Sequence, residues 1–333
     1  MSSAPAWAKE VLIPEQKSFD GVPFPMVLSP ATEALAASSA ALEVHACVRA
    51  DMQWIAAQLL ERGAIVFRGF PTRDAAAFDA FVNAFPDYEI LPYVGGAAVR
   101  NHVVGNVYTT NESPADQKIP FHHEMAQVPK PPSTLFFMCE VPPASGGETP
   151  ILLSNELFKR AHAAAPAFID KLETVGVRYA RSMLENDDPT SAIGRGWKST
   201  YLTDKREEAE AKQLAQNGSF EWLENGTIFK SISAALPAIR TDARNGKKTF
   251  FNSVVAAYTG WQDARNDSKK AVVFADGEYL AEADVAVVQS IMDEIKVEIP
   301  WQNGDVMLID NRQVMHSRNT FQPPRQIYAI LLK

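Results

Sequence analysis

Every strongly apolar segment of this chain is short and ends at a proline, a glycine or a polar turn. The longest runs, Leu135–Met138 and Ala271–Ala275, fall far short of the roughly 20 residues that a membrane-crossing helix requires. Ser133–Glu140 is bounded by prolines on both sides, which predicts a buried strand. Ala64–Phe70 combines β-branched and aromatic residues and is closed by Gly69 and Pro71, so it also reads as a strand. Val306–Asp310 follows the turn Asn303-Gly304-Asp305, and Gln326–Leu332 is a further strand beyond a polar loop. Helical spacing interrupts these strands. It is seen in Ala50–Arg62 with Gly63 as its cap, in Asp74–Phe85, Asn155–Ala165, Pro166–Thr174 and Asp204–Gln216, and in Glu282–Ile295, read as a surface helix. Short strands among helices predict elements packed around a sheet.

The 333 residues are 46% hydrophobic and 22% charged, which excludes a disordered chain. Lys and Arg number 32 against 40 Asp and Glu, a net charge of −8 without a basic run, so nucleic acid is not the expected partner. Cys47 and Cys139 cannot form a disulfide framework or a cysteine-based zinc site. With no basic and apolar leader at Met1–Trp7, the expected location is the cytoplasm, with no membrane partner. No repeat is visible, and no motif specifies an oligomeric state. The most polar stretch, 185–248, is read as a lid or insertion in a single domain spanning 1–333, because it carries few apolar residues for a core of its own; the alternative is a small second domain.

The sharpest chemical signal is Phe121-His122-His123-Glu124. On an extended segment side chains alternate faces, so His122 and Glu124 point one way and His123 the other. A zinc-protease HExxH is excluded, because Gln127 stands where the second histidine would be. Of the six histidines, His316 is the best third ligand. It lies 192 residues beyond Glu124, so the segments meet only if a sheet folds over or closes. Two histidines and one carboxylate with open positions suit a non-haem Fe(II) oxygenase. Thr149 in Gly146-Gly147-Glu148-Thr149 and Arg325 in Pro323-Pro324-Arg325 add a hydroxyl and a guanidinium fork suited to a carboxylate-bearing co-substrate.

Taken together, these pieces resemble the taurine dioxygenase superfamily of Fe(II)- and 2-oxoglutarate-dependent oxygenases, particularly its clavaminate synthase-like branch. The resemblance is carried by Ile119–Ala126, Gly146–Thr149, Phe250-Phe251-Asn252-Ser253 and the stretch from Gly304 through Asp310, His316 and Arg325. It implies a mainly β fold with flanking helices (α+β), built on a double-stranded β-helix (jelly-roll) core with a helical or loop insertion. It also implies His122, Glu124 and His316 as iron ligands, and Thr149 and Arg325 on the distal carboxylate of 2-oxoglutarate. Many relatives carry a further arginine in the final strand. Gln326–Leu332 has none, which leaves Arg325 alone with Arg318 as its competitor. The presence of Glu124 also argues against a halogenase, whose relatives lack that ligand.

The expected activity is oxidation, by default hydroxylation, of a C–H bond in a small polar substrate, an amino acid or a derivative. Fe(II), 2-oxoglutarate and O2 would be consumed or used, with succinate and CO2 released. The alternatives are a metal-binding or sensing protein without turnover, or a non-redox metalloenzyme with the same ligands. Asn111 and Asn252 are the candidate substrate contacts. His123 is expected near the site or on the surface, Trp197, Trp222 and Trp261 in packing, and Cys139 as a small buried hydrophobe.

Overall fold

Thr134–Val141 is apolar on both faces, and a strand of that kind belongs in the middle of a sheet covered on both sides. The computed structural model, which describes residues 3–86, 89–91, 93, 96–110 and 112–333, places it there. It lies between Val306–Asp310 and Gln326–Leu332 in an eight-stranded sheet. The sheet runs in the order Ala8–Glu10, Met26–Pro30, Ala64–Phe67, Val306–Asp310, Thr134–Val141, Gln326–Leu332, Val107–Thr109, His102–Val104. Only the Met26–Pro30 and Ala64–Phe67 pair is parallel.

Alternation along the central strands divides the core into two layers. Phe136 and Met138, with Leu308 and Ile330 opposite Phe136, pack beneath the helices Ala41–Ala50, Met52–Arg62 and Ala75–Val82. Gly63 ends the second of these helices with φ +76°, and a Cβ there would lie 2.7 Å from Val314, so glycine is required on both counts. Leu135, Phe137 and Cys139 face the other way, toward Met307, Ile309, Ile327 and Ala329. This second layer is closed by a three-stranded sheet in the order Ile151–Leu153, Val314–Arg318, Ile119–His122. Behind the small sheet, Leu152 and Met315 pack on the helices Ser154–Ala164, Pro166–Thr174, Val254–Gly260 and Glu282–Ile295. The chain is mainly β with flanking helices, as expected.

Two expectations need correction. The segment between Asp310 and Gln326 was expected as a polar loop, yet Val314–Arg318 is a fully buried strand at the centre of the smaller sheet. The boundaries 185–248 also cut through a structural unit. Val177–Met183 and Val272–Phe274, both outside that interval, join Ser219–Leu223 and Ile228–Ile232 in one four-stranded sheet. The unit has a small aromatic core in Met183, Trp197, Tyr201, Ala209 and Phe229, so few but large residues suffice. No helix among the described residues is long and apolar enough to cross a membrane.

Candidate active site

The smaller sheet brings the distant ligands together. His316 pairs directly with His122 across antiparallel strands, and side chains opposite one another in such a pair share a face. Their rings lie 4.4 Å apart at a tilt of 52°. Glu124 is placed differently from expectation. The strand ends at His122, so the extended alternation does not run on to the carboxylate. Instead the amide N–H of His123 donates to the Asn252 carbonyl, and Asn311 grips Glu124 at both ends of its peptide unit. The Asn311 Oδ1 accepts from the Glu124 N–H at 2.9 Å, and its Nδ2 donates to the Glu124 carbonyl at 3.1 Å and the Pro132 carbonyl at 2.8 Å. Asn311 lies on the turn leading into the His316 strand, so one side chain ties the two ligand segments together. Donor atoms of His122, Glu124 and His316 all fall within 4.8 Å of one another.

The protonation states suit a cation. His122 donates its Nδ1 hydrogen to the Pro120 carbonyl at 2.9 Å, which leaves Nε2 as the lone-pair nitrogen. Burial, reinforced by His316, lowers its pKa to about 4, so the ring is neutral at pH 7. Burial works to raise the Glu124 pKa, yet Arg100 and then His316 override it and hold the carboxyl well below its ordinary range. The Glu124 Oε2 accepts from Arg100 Nη2 at 2.9 Å and lies 3.5 Å from His316 Nε2. Two imidazoles and one ionised carboxylate with no competing lysine among them form the donor set that fits a divalent iron ion.

A cleft open to solvent at its mouth has these three residues on its wall together with Thr149, Arg318 and Arg325. Thr149 Oγ1 accepts from Trp301 Nε1 at 3.3 Å and from Arg325 Nη2 at 3.5 Å, which leaves its own hydrogen free to donate. Arg325 is steadied by Nε on the Gly147 carbonyl at 2.8 Å. Gly147 has φ +70°, and a Cβ there would stand 2.9 Å from Arg325 Cδ, so this close approach requires glycine. Arg318 is engaged elsewhere: Nη1 donates to the Ser113 carbonyl, and Nη2 to the carbonyls of Pro114 and Gln117.

The two substrate candidates fare otherwise. Asn111 lies outside the described residues. Asn252 is 1% exposed and its amide is taken by the backbone, Nδ2 on the Ala238 carbonyl and Oδ1 on the Val254 N–H. It is a structural bridge rather than a substrate contact, because both ends of its side chain are already bonded. His123 is fully buried against Phe251, with Nδ1 on the Asn311 carbonyl at 2.6 Å and Nε2 on Ser154 Oγ at 2.8 Å. Arg100 and Asn311 were not anticipated from the sequence. A hydrogen bond across 24 or 187 residues leaves no local pattern, although Asp310-Asn311-Arg312 lies within the stretch from Gly304 to Arg325 that carries the family resemblance.

The family model "Taurine catabolism dioxygenase TauD, TfdA family" matches residues 28–331. The chain belongs to this family. It is a 2-oxoglutarate-dependent non-haem iron oxygenase, using Fe(II), 2-oxoglutarate and O2. This dioxygenase is 47% identical to a clavaminate synthase-like protein of Arabidopsis thaliana over 325 residues, 97% of this chain and 98% of that protein. It is 25% identical to the dapdiamide synthesis protein DdaC of Enterobacter agglomerans over 285 residues, 82% of this chain and 83% of that protein. Among solved structures, PvcB from Pseudomonas aeruginosa superposes with a TM-score of 0.53 at 13% identity, covering 99% of this chain and 92% of that one. At that identity the likeness is one of fold.

Proposed function

We propose that His122, Glu124 and His316 hold the iron of this oxygenase and that Thr149 and Arg325 bind the distal carboxylate of 2-oxoglutarate. In this reading the enzyme hydroxylates a C–H bond of a small polar molecule, an amino acid or a derivative of one. The observation that carries the reading is the three-residue donor cluster sharing one cleft with the Thr149–Arg325 pair. A non-redox metalloenzyme or a metal sensor has no use for a second carboxylate-binding pair beside the metal, so those alternatives find no support in this geometry.

The two opposed sheets enclosing Phe137, Met307 and Ile309 are read as a double-stranded β-helix, with residues 1–333 as one oxygenase domain. The stretch 185–248 then serves as its lid, since Ala192 and Ile193 within it line the cleft. Two free cysteines, Cys47 and Cys139, suit the cytoplasm.

When bound, iron, 2-oxoglutarate and O2 supply the oxidising chemistry, one oxygen atom entering succinate and the other the product alongside CO2. The chain supplies everything else. His122 is locked in one tautomer by the Pro120 carbonyl, so its lone pair needs no reorganisation to reach a ligand position. Arg100 keeps Glu124 ionised. Arg325 meets a carboxylate with its terminal nitrogens while Gly147 holds Nε, and the Thr149 hydroxyl adds an uncharged donor. Phe137, Ile193 and Trp261 restrict water around the reacting carbon.

The test is succinate formation by purified protein supplied with Fe(II), ascorbate and 2-oxoglutarate. Slow release without a second substrate, and faster release with one, are expected. His316→Ala should abolish release and weaken iron binding; undiminished succinate from that variant would remove His316 from the ligand set.

A further inference from the structure

A second recess lies behind the segment that carries the candidate ligands. Phe251 stands on its wall and stacks against His123, 4.3 Å between ring centroids. Among the described residues it shares no lining residue with the cleft. Its cations come from three remote parts of the chain. Lys130 precedes Thr134–Val141, and Arg312 follows Asn311. Arg240 and Arg244 belong to the ribbon Arg240–Thr241 with Lys248–Thr249 and the turn between them. A basic site is thus assembled here without a basic run in the sequence.

Arg244 is already engaged. Its Nε and Nη2 donate to Asp242, and Nη2 also meets Asp310 at 2.6 Å. Lys130, Arg240 and Arg312 form no ion pair among the described residues. Four cations against Asp242 and Asp310 leave a surplus of two positive charges, in a chain whose net charge is −8. Lys130 and Arg312 are exposed, whereas Arg240 is half-buried. The Arg240 guanidinium lies 4.1 Å from the ring of Phe251, which is itself buried against His123, so the fork is held in place before any ligand arrives. Its Nε is closed off without an acceptor, and its terminal nitrogens have no hydrogen-bond partner among the described residues. Burial pushes its pKa down, the mark of a charge that no carboxylate compensates.

We propose that this recess binds a phosphate group, free or in a small monoester, with Arg240 as the fixed donor and Arg312 and Lys130 closing over it. A doubly charged anion matches the surplus of two. A tetrahedral oxyanion also presents oxygens in several directions, toward donors that arrive from separate segments, whereas a planar carboxylate with one charge answers a single fork. The site lies outside the oxygenase cleft and does not depend on the reaction assigned to it.

The experiment uses the full chain free of metal, so that phosphate has no iron to bind, in low-salt buffer at about pH 8, where phosphate is mainly a dianion. Inorganic phosphate, glycerol 3-phosphate and acetate are titrated calorimetrically. Phosphate should bind once per chain with a Kd of about 1 mM or lower, and acetate at least about tenfold more weakly. Arg240→Gln should weaken phosphate binding by about tenfold or more, and Arg312→Gln by about threefold or more. Arg325→Gln, on the wall of the cleft, should leave it unchanged. Tighter binding of glycerol 3-phosphate than of phosphate supports an ester as the occupant, and equal or weaker binding supports free phosphate. No phosphate binding up to about 10 mM overturns the proposal. So does acetate that binds as tightly as phosphate, or phosphate binding that Arg325→Gln abolishes. Undiminished binding in Arg312→Gln overturns it even where Arg240→Gln folds poorly, because the exposed Arg312 side chain takes no part in the core.

Discussion

Asn311→Ala isolates the device that sets Glu124 in place. Asn311 is fully buried, and its side chain makes three hydrogen bonds, two to the peptide unit of Glu124 and one to the Pro132 carbonyl. Each contributes about 1 kcal/mol net, and a partner left buried without a bond costs about 1–3 kcal/mol. Truncation should therefore destabilise the metal-free protein by about 3–6 kcal/mol, toward the lower end where water fills the vacated space. That is a large share of the roughly 5–15 kcal/mol that holds a typical domain folded, so the variant should fold but unfold at lower urea. Metal affinity should fall as well, by about tenfold or more, because a Glu124 backbone free to move must be fixed again on binding. Urea unfolding with a chelator present measures the first effect, and calorimetric titration with Fe(II) under argon measures the second. Asn311→Asp keeps the acceptor for the Glu124 N–H but turns an oxygen toward two carbonyls, so it should not rescue the variant. Unfolding energies within about 0.5 kcal/mol of the parent, the range of an ordinary surface substitution, would refute the clamp. A destabilised variant with unchanged iron affinity would show that the clamp serves the fold and not the ligand.

Arg325→Ala should raise the 2-oxoglutarate concentration needed for half-maximal succinate release by about 10- to 100-fold, the loss of a charge-assisted pair. Arg318→Ala should instead lower thermal stability, since carbonyls of Ser113, Pro114 and Gln117 lose their donor; the reverse pattern in the two melting and saturation curves would exchange the assignments. Gly147→Ala forces a left-handed residue to carry a Cβ 2.8 Å from Pro143 and 2.9 Å from Arg325, so about 1–3 kcal/mol of stability should be lost together with 2-oxoglutarate affinity. Stability of the metal-free protein should also depend on pH. His122 takes a proton near its ordinary value of 6.5 when unfolded but only near 4 when folded, so stability is constant above about pH 6.5 and falls as pH drops toward 4. The full loss from this ring is on the order of 3 kcal/mol. Buried His123, also held well below its ordinary value, acts in the same direction, and depressed Glu124 carries the loss to lower pH. A flat urea midpoint between pH 6.5 and 4.5 would contradict this.

What could be read from the sequence, and what could not, follows from how far each interaction reaches. Pro166–Thr174 and Glu282–Ile295 occur with the predicted ends, because proline at the first turn and an apolar stripe are local signals. Thr134–Val141 was equally plain, since proline brackets and a doubly apolar strand are contained within ten residues. Val314–Arg318 was hidden for the opposite reason. His316, Ser317 and Arg318 are poor candidates for a buried strand interior by composition, and only neighbours contributed by Ile151–Leu153 and Ile119–His122 make one of them. The Ser317 N–H is met by the Pro150 carbonyl and the Arg318 guanidinium by three carbonyls from 113–117, none of them close in sequence. The same holds for Arg100 on Glu124 and for Asn311 across to Glu124 and Pro132. Local preference and final structure thus part company where His316 sits. A polar strand buried on both faces persists only when long-range partners satisfy it, and proteins accept such conflict mainly where chemistry requires those residues. The departure from the expected loop is therefore an argument for the candidate site in its own right, independent of the resemblance to any family.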